Sequence, residues 1–408
     1  MKCPLGAFRS GFGCFQVDFY NSLPGWLMMG VYVHVPFCAQ KCYYCDFHSV
    51  VVSDEEDFSE VAGNYLISLR QEALYYRSVW GESPLNTLFV GGGTPSLIPP
   101  KELAAFIVLL RETLPFVREP EISMEANPHS LTHEGAEQLS MAGVNRVSLG
   151  VQAFQDRLLE AIGRAHRSEQ IGESVAALRQ AGIENINLDL MFGLPGQSQR
   201  DWVETLELAS ALKPTHVSCY GLILEDETPL TRWVSEGLVD VPKDDEQAEM
   251  FETACRILKG DGYNHYEISN FCKPGWQCKH NLLYWHNKPF IGLGSGATGY
   301  IKGLRYKNAP DVQGYIESWG RGAPLYEGFN EVSLDQEMDE TMMVGMRLLR
   351  GIDERAFRSR YQVGFSDLYR EAIEDLLARG LVEYTEGRLR VTYQGLFLEN
   401  QVSGAFLR

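Results

Sequence analysis

The segment Val33-His34-Val35-Pro36-Phe37-Cys38-Ala39-Gln40-Lys41-Cys42-Tyr43-Tyr44-Cys45-Asp46-Phe47 places three cysteines in one short loop, directly after the β-branched run 31–35. The spacing is C-x3-C-x2-C. Iron–sulfur clusters are held by cysteine thiolates. Three thiolates from one loop reach three irons of a [4Fe–4S] cubane and leave the fourth iron without a protein ligand. That bare corner can be chelated by the amine and carboxylate of an amino acid, which would bring a sulfonium within electron-transfer reach. Two other uses compete. A structural zinc site needs a fourth ligand, with His48 the nearest, and normally shows paired C-x2-C spacings. A disulfide with a spare thiol fits poorly with nine cysteines, an odd number spread over 408 residues with no secretory signal. The expectation is a cluster on Cys38, Cys42 and Cys45.

Outward from this loop, strands and helices alternate. Apolar runs at 87–90, 121–125, 146–150, 185–191 and 216–221 are separated by stretches with helical spacing at 58–80, 101–114, 133–142, 170–181 and 200–212. Gly143 and Gly182 stop two of these helices. Six β-then-α units predict parallel strands with right-handed crossovers. Six are too few to close an eight-stranded barrel. The expected fold is an incomplete (β/α)6 barrel of the TIM type, with the chemistry on loops at the C-terminal strand ends; an open doubly wound sheet is the alternative. After Gly221 the rhythm changes, and near Glu331 it changes again. Helical patterns at 338–349 and 366–378, then strands 381–384 and 388–391 around Thr385-Glu386-Gly387, suggest a small winged-helix-like module. The expected organisation is an extension at 1–29, the barrel at 30–225, a post-barrel segment at 226–330 and the C-terminal module at 331–408.

The net charge of −18 argues against nonspecific binding to nucleic acid or anionic lipid, which need a positive field. The C-terminal module lacks a basic recognition face, so packing or partner contact is expected there rather than DNA binding. The longest apolar run, 103–110, is too short to span a bilayer, and a cytoplasmic protein is expected. Residues 1–29 mix aromatics with Gly6, Gly11, Gly13, Pro24 and Gly25, which break any helix. Met28 and Met29 precede the first convincing strand, so this extension reads as an upstream-extended start, peripheral to function.

Further motifs follow the strands. Gly91-Gly92-Gly93-Thr94-Pro95-Ser96 comes after the second, where glycines let the backbone approach a ligand. Glu125-Ala126-Asn127-Pro128 ends the third. Gln152 ends the fourth, and Gly163-Arg164-Ala165-His166 follows, with Arg164 able to grip a carboxylate in bidentate fashion. Asp189 interrupts the apolar fifth strand, a costly position unless partnered. His280-Asn281-Leu282-Leu283-Tyr284-Trp285 lies beyond the barrel and offers an imidazole and aromatic faces; pinning the post-barrel region to the barrel is its plainer use.

Together these motifs resemble the radical S-adenosylmethionine (SAM) superfamily. Within it they are similar to the branch formed by oxygen-independent coproporphyrinogen III dehydrogenases and the related heme chaperones, over nearly everything after Gly30. The resemblance implies SAM cleavage at a [4Fe–4S] cluster and a SAM pocket lined by Tyr32, Tyr44, Gly93, Thr94, Pro95, Glu125, Gln152, Arg164 and Asp189. Two departures favour the chaperones. Phe47 stands where the dehydrogenases carry a fourth cysteine, and the H-N-x-x-Y-W motif is the chaperones' own. The resemblance thus implies binding of heme, with His280 as candidate ligand, and its delivery to client heme proteins, membrane-associated ones among them, by a monomer or cluster-dependent dimer. The alternative is coproporphyrinogen III dehydrogenase activity in porphyrin biosynthesis.

Overall fold

The computed structural model describes residues 28–52 and 55–408. The expectations for the extension therefore lie, apart from residues 28 and 29, outside the described residues, as do Cys3 and Cys14.

Six strands lie side by side in chain order: β1 (Gly30–Val35), β2 (Leu85–Gly92), β3 (Phe116–Ala126), β4 (Arg146–Gln152), β5 (Asn185–Phe192) and β6 (His216–Gly221). Every neighbouring pair is parallel. Between them run α1 (Glu55–Trp80), α2 (Pro100–Thr113), α3 (His133–Ala142), α4 (Glu169–Gln180) and α5 (Gln199–Ala211). Local chemistry sets the helix ends. Thr132 caps α3 by accepting from the Gly135 amide at 3.0 Å, and Gly143 stops it at a φ of 97°. Ser198 and Asp201 form a capping box on α5.

The strands alternate. Val31, Val33, Leu88, Val90, Ile122, Met124, Val147, Leu149, Ile186 and Leu188 are buried in the layer shared with the helices. Intervening residues of β2–β6, among them Phe89, Glu125, Arg146, Ser148, Asn187, Asp189, Ser218 and Tyr220, line one common cavity of about 500 Å³. The sheet therefore curls around a polar lumen, while its two end strands do not pair with each other. This is an open, incomplete barrel.

The sheet is larger than the six-unit pattern. α6 (Asp244–Gly260) follows β6, then β7 (Asn264–Glu267) and β8 (Asn270–Cys272), which extend that side antiparallel. α7 (Lys279–Trp285) crosses beneath, and β9 (Phe290–Leu293) joins the other side of β1 as a seventh parallel strand. β10 (Thr298–Ile301), β11 (Leu304–Asn308) and β12 (Tyr326–Glu331) continue antiparallel, giving twelve strands.

The C-terminal residues form α8 (Leu334–Gly345), β13 (Ile352–Asp353), α9 (Glu354–Tyr361), α10 (Arg370–Ala378) and the hairpin β14 (Val382–Thr385)–β15 (Arg388–Val391). Glu386 and Gly387 have φ of 55° and 75°, the conformation of a two-residue hairpin turn that matches strand twist. The module is stitched to the barrel side. Leu349 donates its amide to Tyr266 O and Ile268 to Arg347 O, and Arg360 donates to the carbonyls of His286 and Asn287 at the end of α7. Among the described residues no helix is long and apolar enough to cross a membrane.

Candidate functional site

The cysteine loop leaves the C-terminal end of β1, and its base is pinned on both sides. Phe37–Cys38 pair in parallel with Val50–Val51, with amide bonds from Val50 to Pro36 O at 2.7 Å and from Val52 to Cys38 O at 2.9 Å. Tyr43 donates to Ile162 O at 3.0 Å and accepts from the Leu230 amide. Its ring packs edge-on against Trp233 and lies so close to Gly163 that a Cβ there would sit 3.1 Å away. Cys38, Cys42 and Cys45 are half-buried, unbridged, and all line the cavity mouth. Burial pushes the Cys38 and Cys45 thiols up, so metal binding there would release protons. A cluster takes one thiolate per iron around its outside, and thiols set around a shared mouth fit that demand.

The glycine run wraps the same mouth. The Gly93 and Thr94 amides donate to Val35 O and Phe37 O, both at 2.7 Å. A Cβ on Gly93 would lie 2.6 Å from the Phe37 carbonyl oxygen, and Gly92 adopts a φ of 113°, so side chains are excluded at both positions. The Gly92 amide donates to Glu125 Oε2 at 3.0 Å. Burial raises the Glu125 carboxyl to about 7; the charge of Asp189 adds to this, while the Gly92 amide and Arg146 oppose it.

Arg164 ties the mouth together. It donates to Cys42 Sγ at 3.5 Å, to Gly150 O at 2.7 Å and to Asn127 Oδ1; Asn127 in turn donates to Thr94 Oγ1 at 2.9 Å. Gln152 ends β4 at a φ of 64°, where the register against β5 shifts. Strain of this kind in a buried non-glycine residue collects at functional sites. Asp189 finds its partners in the Ser148 hydroxyl at 2.7 Å and the Asn187 amide at 2.8 Å. Burial still raises its carboxyl.

Tyr44, Gly93, Thr94, Glu125, Gln152, Arg164 and Asp189 thus surround one cavity with the three cysteines. Three expected site residues are placed differently. Tyr32 does not line the cavity: its hydroxyl meets His34 Nδ1 at 2.9 Å and its ring stacks on Phe89, which takes the lining position. Pro95 is buried at the start of the turn Pro95–Leu97. His280 is wholly buried, with Nδ1 at 2.7 Å from Thr87 Oγ1 and Nε2 at 2.9 Å from the Tyr284 hydroxyl. Both its nitrogens are taken by hydroxyls and the ring does not line the cavity, so in this structure α7 serves as a pin. Its first amides, of Lys279 and His280, land on the Glu121 carboxylate at 3.0 Å each, and its far end is held by Arg360.

The motifs did not single out Arg146, Ser148, Asn187, Ser218 and Tyr220, which also face the lumen, as does Asn281 of the H-N-x-x-Y-W motif. The usable signal was strict alternation: Arg146-Val147-Ser148-Leu149-Gly150, Asn185-Ile186-Asn187-Leu188-Asp189 and His216-Val217-Ser218-Cys219-Tyr220 each put polar residues on one face.

An open parallel barrel with a three-cysteine loop and a glycine run at its C-terminal mouth is the arrangement of a radical SAM protein, and the Radical SAM superfamily profile matches residues 32–209. The profile of the HemN C-terminal domain matches residues 332–398. The chain is 37% identical over 381 residues to the heme chaperone HemW of Bacillus subtilis, covering 93% of this chain and 99% of that one. It is 32% identical to the heme chaperone HemW of Escherichia coli, covering 93% and 98%. The chain belongs to the HemW family. Membership of the radical SAM superfamily implies a [4Fe–4S] cluster and SAM. The solved coproporphyrinogen III oxidase (HemN) of Escherichia coli superposes with a TM-score of 0.81 at 22% identity, covering 96% of this chain and 92% of that one, a likeness of fold.

Proposed function

We propose that this protein binds heme and hands it to client heme proteins, with a [4Fe–4S] cluster on Cys38, Cys42 and Cys45 and SAM seated in the same cavity. The observation that carries this reading is the 37% identity over 99% of the length of a curated heme chaperone. A local feature agrees. Phe47, at the position of the dehydrogenases' fourth cysteine, is 63% exposed at the mouth and supplies no thiol.

When bound, a reduced cluster supplies the electron that cleaves SAM. The chain's own residues do the holding. The glycine run would present backbone to the methionine end of SAM, and Glu125 and Asp189 would accept from its ammonium or ribose hydroxyls. Arg164 orients Cys42 and, through Asn127, Thr94. Tyr44 would pack between cluster and adenine. The cytoplasm is the proposed location. Clients, among them membrane-associated ones, would be met by a monomer or a cluster-dependent dimer.

The test mixes heme-loaded, cluster-bearing protein with an apo heme protein and follows the Soret band of each after separation. Heme should appear on the acceptor. Turnover of coproporphyrinogen III to protoporphyrinogen IX with SAM and a reductant, without heme transfer, would overturn the reading in favour of the dehydrogenase.

A further inference from the structure

Arg146 opens β4, is 2% exposed, and lines the cavity. A guanidinium does not lose its proton in a protein, so a full positive charge sits here away from water. Such a charge is ordinarily met by a bidentate carboxylate. Among the described residues the Arg146 side chain makes no ion pair and no hydrogen bond, and its Nε is buried without a partner.

The acids nearby are turned elsewhere. Glu121 accepts from the Lys279 and His280 amides, Asp189 from Ser148 and Asn187, and Glu125 from Gly92. Glu121 and Asp189 act on Arg146 only through space. Ser123, its register neighbour on β3, is wholly buried and also leaves its hydroxyl without a partner. Asn281, near the start of α7, lines the same cavity. Arg146 lies four residues before Gly150, whose carbonyl binds the arginine that holds Cys42. At about 3.3 Å per residue that is roughly 13 Å of strand away from the cluster loop.

We propose that the inner end of the cavity is a carboxylate subsite anchored by Arg146, with Asn281 as a neighbouring donor. A carboxylate there completes a bidentate pair that no group among the described residues supplies. One ligand carries that chemistry away from the cluster, the propionate of a tetrapyrrole, since the methionine carboxylate of SAM belongs at the bare iron. This source rests on the heme reading above.

The test uses the full, cluster-loaded chain under anaerobic conditions as wild type, Arg146→Gln and Arg146→Lys. Each is titrated with SAM by equilibrium dialysis, and with hemin and hemin dimethyl ester by the Soret band. Loss of one charge-assisted contact should weaken the ligand that uses it by about tenfold or more in Arg146→Gln, with partial recovery in Arg146→Lys and unchanged cluster absorption. If the carboxylate is a propionate, wild type prefers hemin to its diester, Arg146→Gln loses that preference, and SAM binding stays constant. A fall in SAM affinity with the two hemins binding alike throughout would overturn the propionate assignment. Wild-type affinity of Arg146→Gln for SAM and hemin would overturn the subsite and leave Arg146 as an internal counter-charge. Should Arg146→Gln fail to fold, Arg146→Lys and the wild-type comparison of hemin with its diester decide; equal binding of the two, with SAM unaffected in Arg146→Lys, overturns the proposal. Continued heme transfer by a variant with unchanged affinities would sink the subsite alone and spare the chaperone reading.

Discussion

Replacing Glu125 by Gln should flatten the pH dependence of SAM binding. Burial holds this carboxyl at about 7, against an ordinary value of 4.5. A donor on SAM gains from the ionised form. With a value near 7, the ionised fraction rises from about one in ten at pH 6 to about nine in ten at pH 8, so this contact strengthens up to roughly tenfold, or about 1.4 kcal/mol. The SAM amine titrates in the same range, so the informative quantity is the ratio of wild-type to Glu125→Gln affinity, which cancels that contribution. The ratio should climb about tenfold from pH 6 to pH 8 when measured by anaerobic equilibrium dialysis on cluster-loaded protein. A stability control comes from the same group. Because its folded value is raised, the folded state binds the extra proton between 4.5 and 7, and wild-type stability falls as pH rises through that window. Without ligand, Glu125→Gln should therefore gain on wild type by about 2.5 kcal/mol between pH 5 and pH 8 in urea melts. A flat affinity ratio in a variant that shows this gain would refute the role of Glu125 in holding SAM.

Two further outcomes are expected. Cys42→Ser should lose the broad charge-transfer absorption and most of the iron on anaerobic reconstitution while keeping its far-ultraviolet circular dichroism, since among the described residues its sulfur's hydrogen bond is the one from Arg164; full iron content would count against the three-thiolate assignment. His280→Ala strands the Thr87 and Tyr284 hydroxyls and opens a void, so unfolding stability should drop by about 2–4 kcal/mol. Heme affinity should hold; lost heme binding with unchanged stability would restore the imidazole as an iron ligand.

Much of this was legible from the chain because it is local. The C-x3-C-x2-C loop, the glycine run and the alternating units are short-range patterns, and so is the hairpin at Glu386-Gly387. What escaped is long-range. Phe290–Leu293 is a four-residue run, too short to announce itself as a strand, and becomes one because β1 offers it a parallel edge. His280 looked available because sequence shows a side chain but not its neighbours; Thr87 and Tyr284 close on it from β2 and from one turn along its own helix. Arg146 was read as part of a strand, and only the curl of the sheet turns it toward the lumen.

A sheet that never meets itself keeps two raw borders. On one, β12 is almost entirely open to water, with Phe329 half-exposed and Glu327 and Glu331 beside it. Unsatisfied strand borders invite stacking between molecules, and acidic side chains on them discourage it. In a chain already carrying eighteen surplus negative charges, a second copy approaching that border would meet repulsion before any ladder could form, so the gap that admits cofactors need not become a seed for fibres.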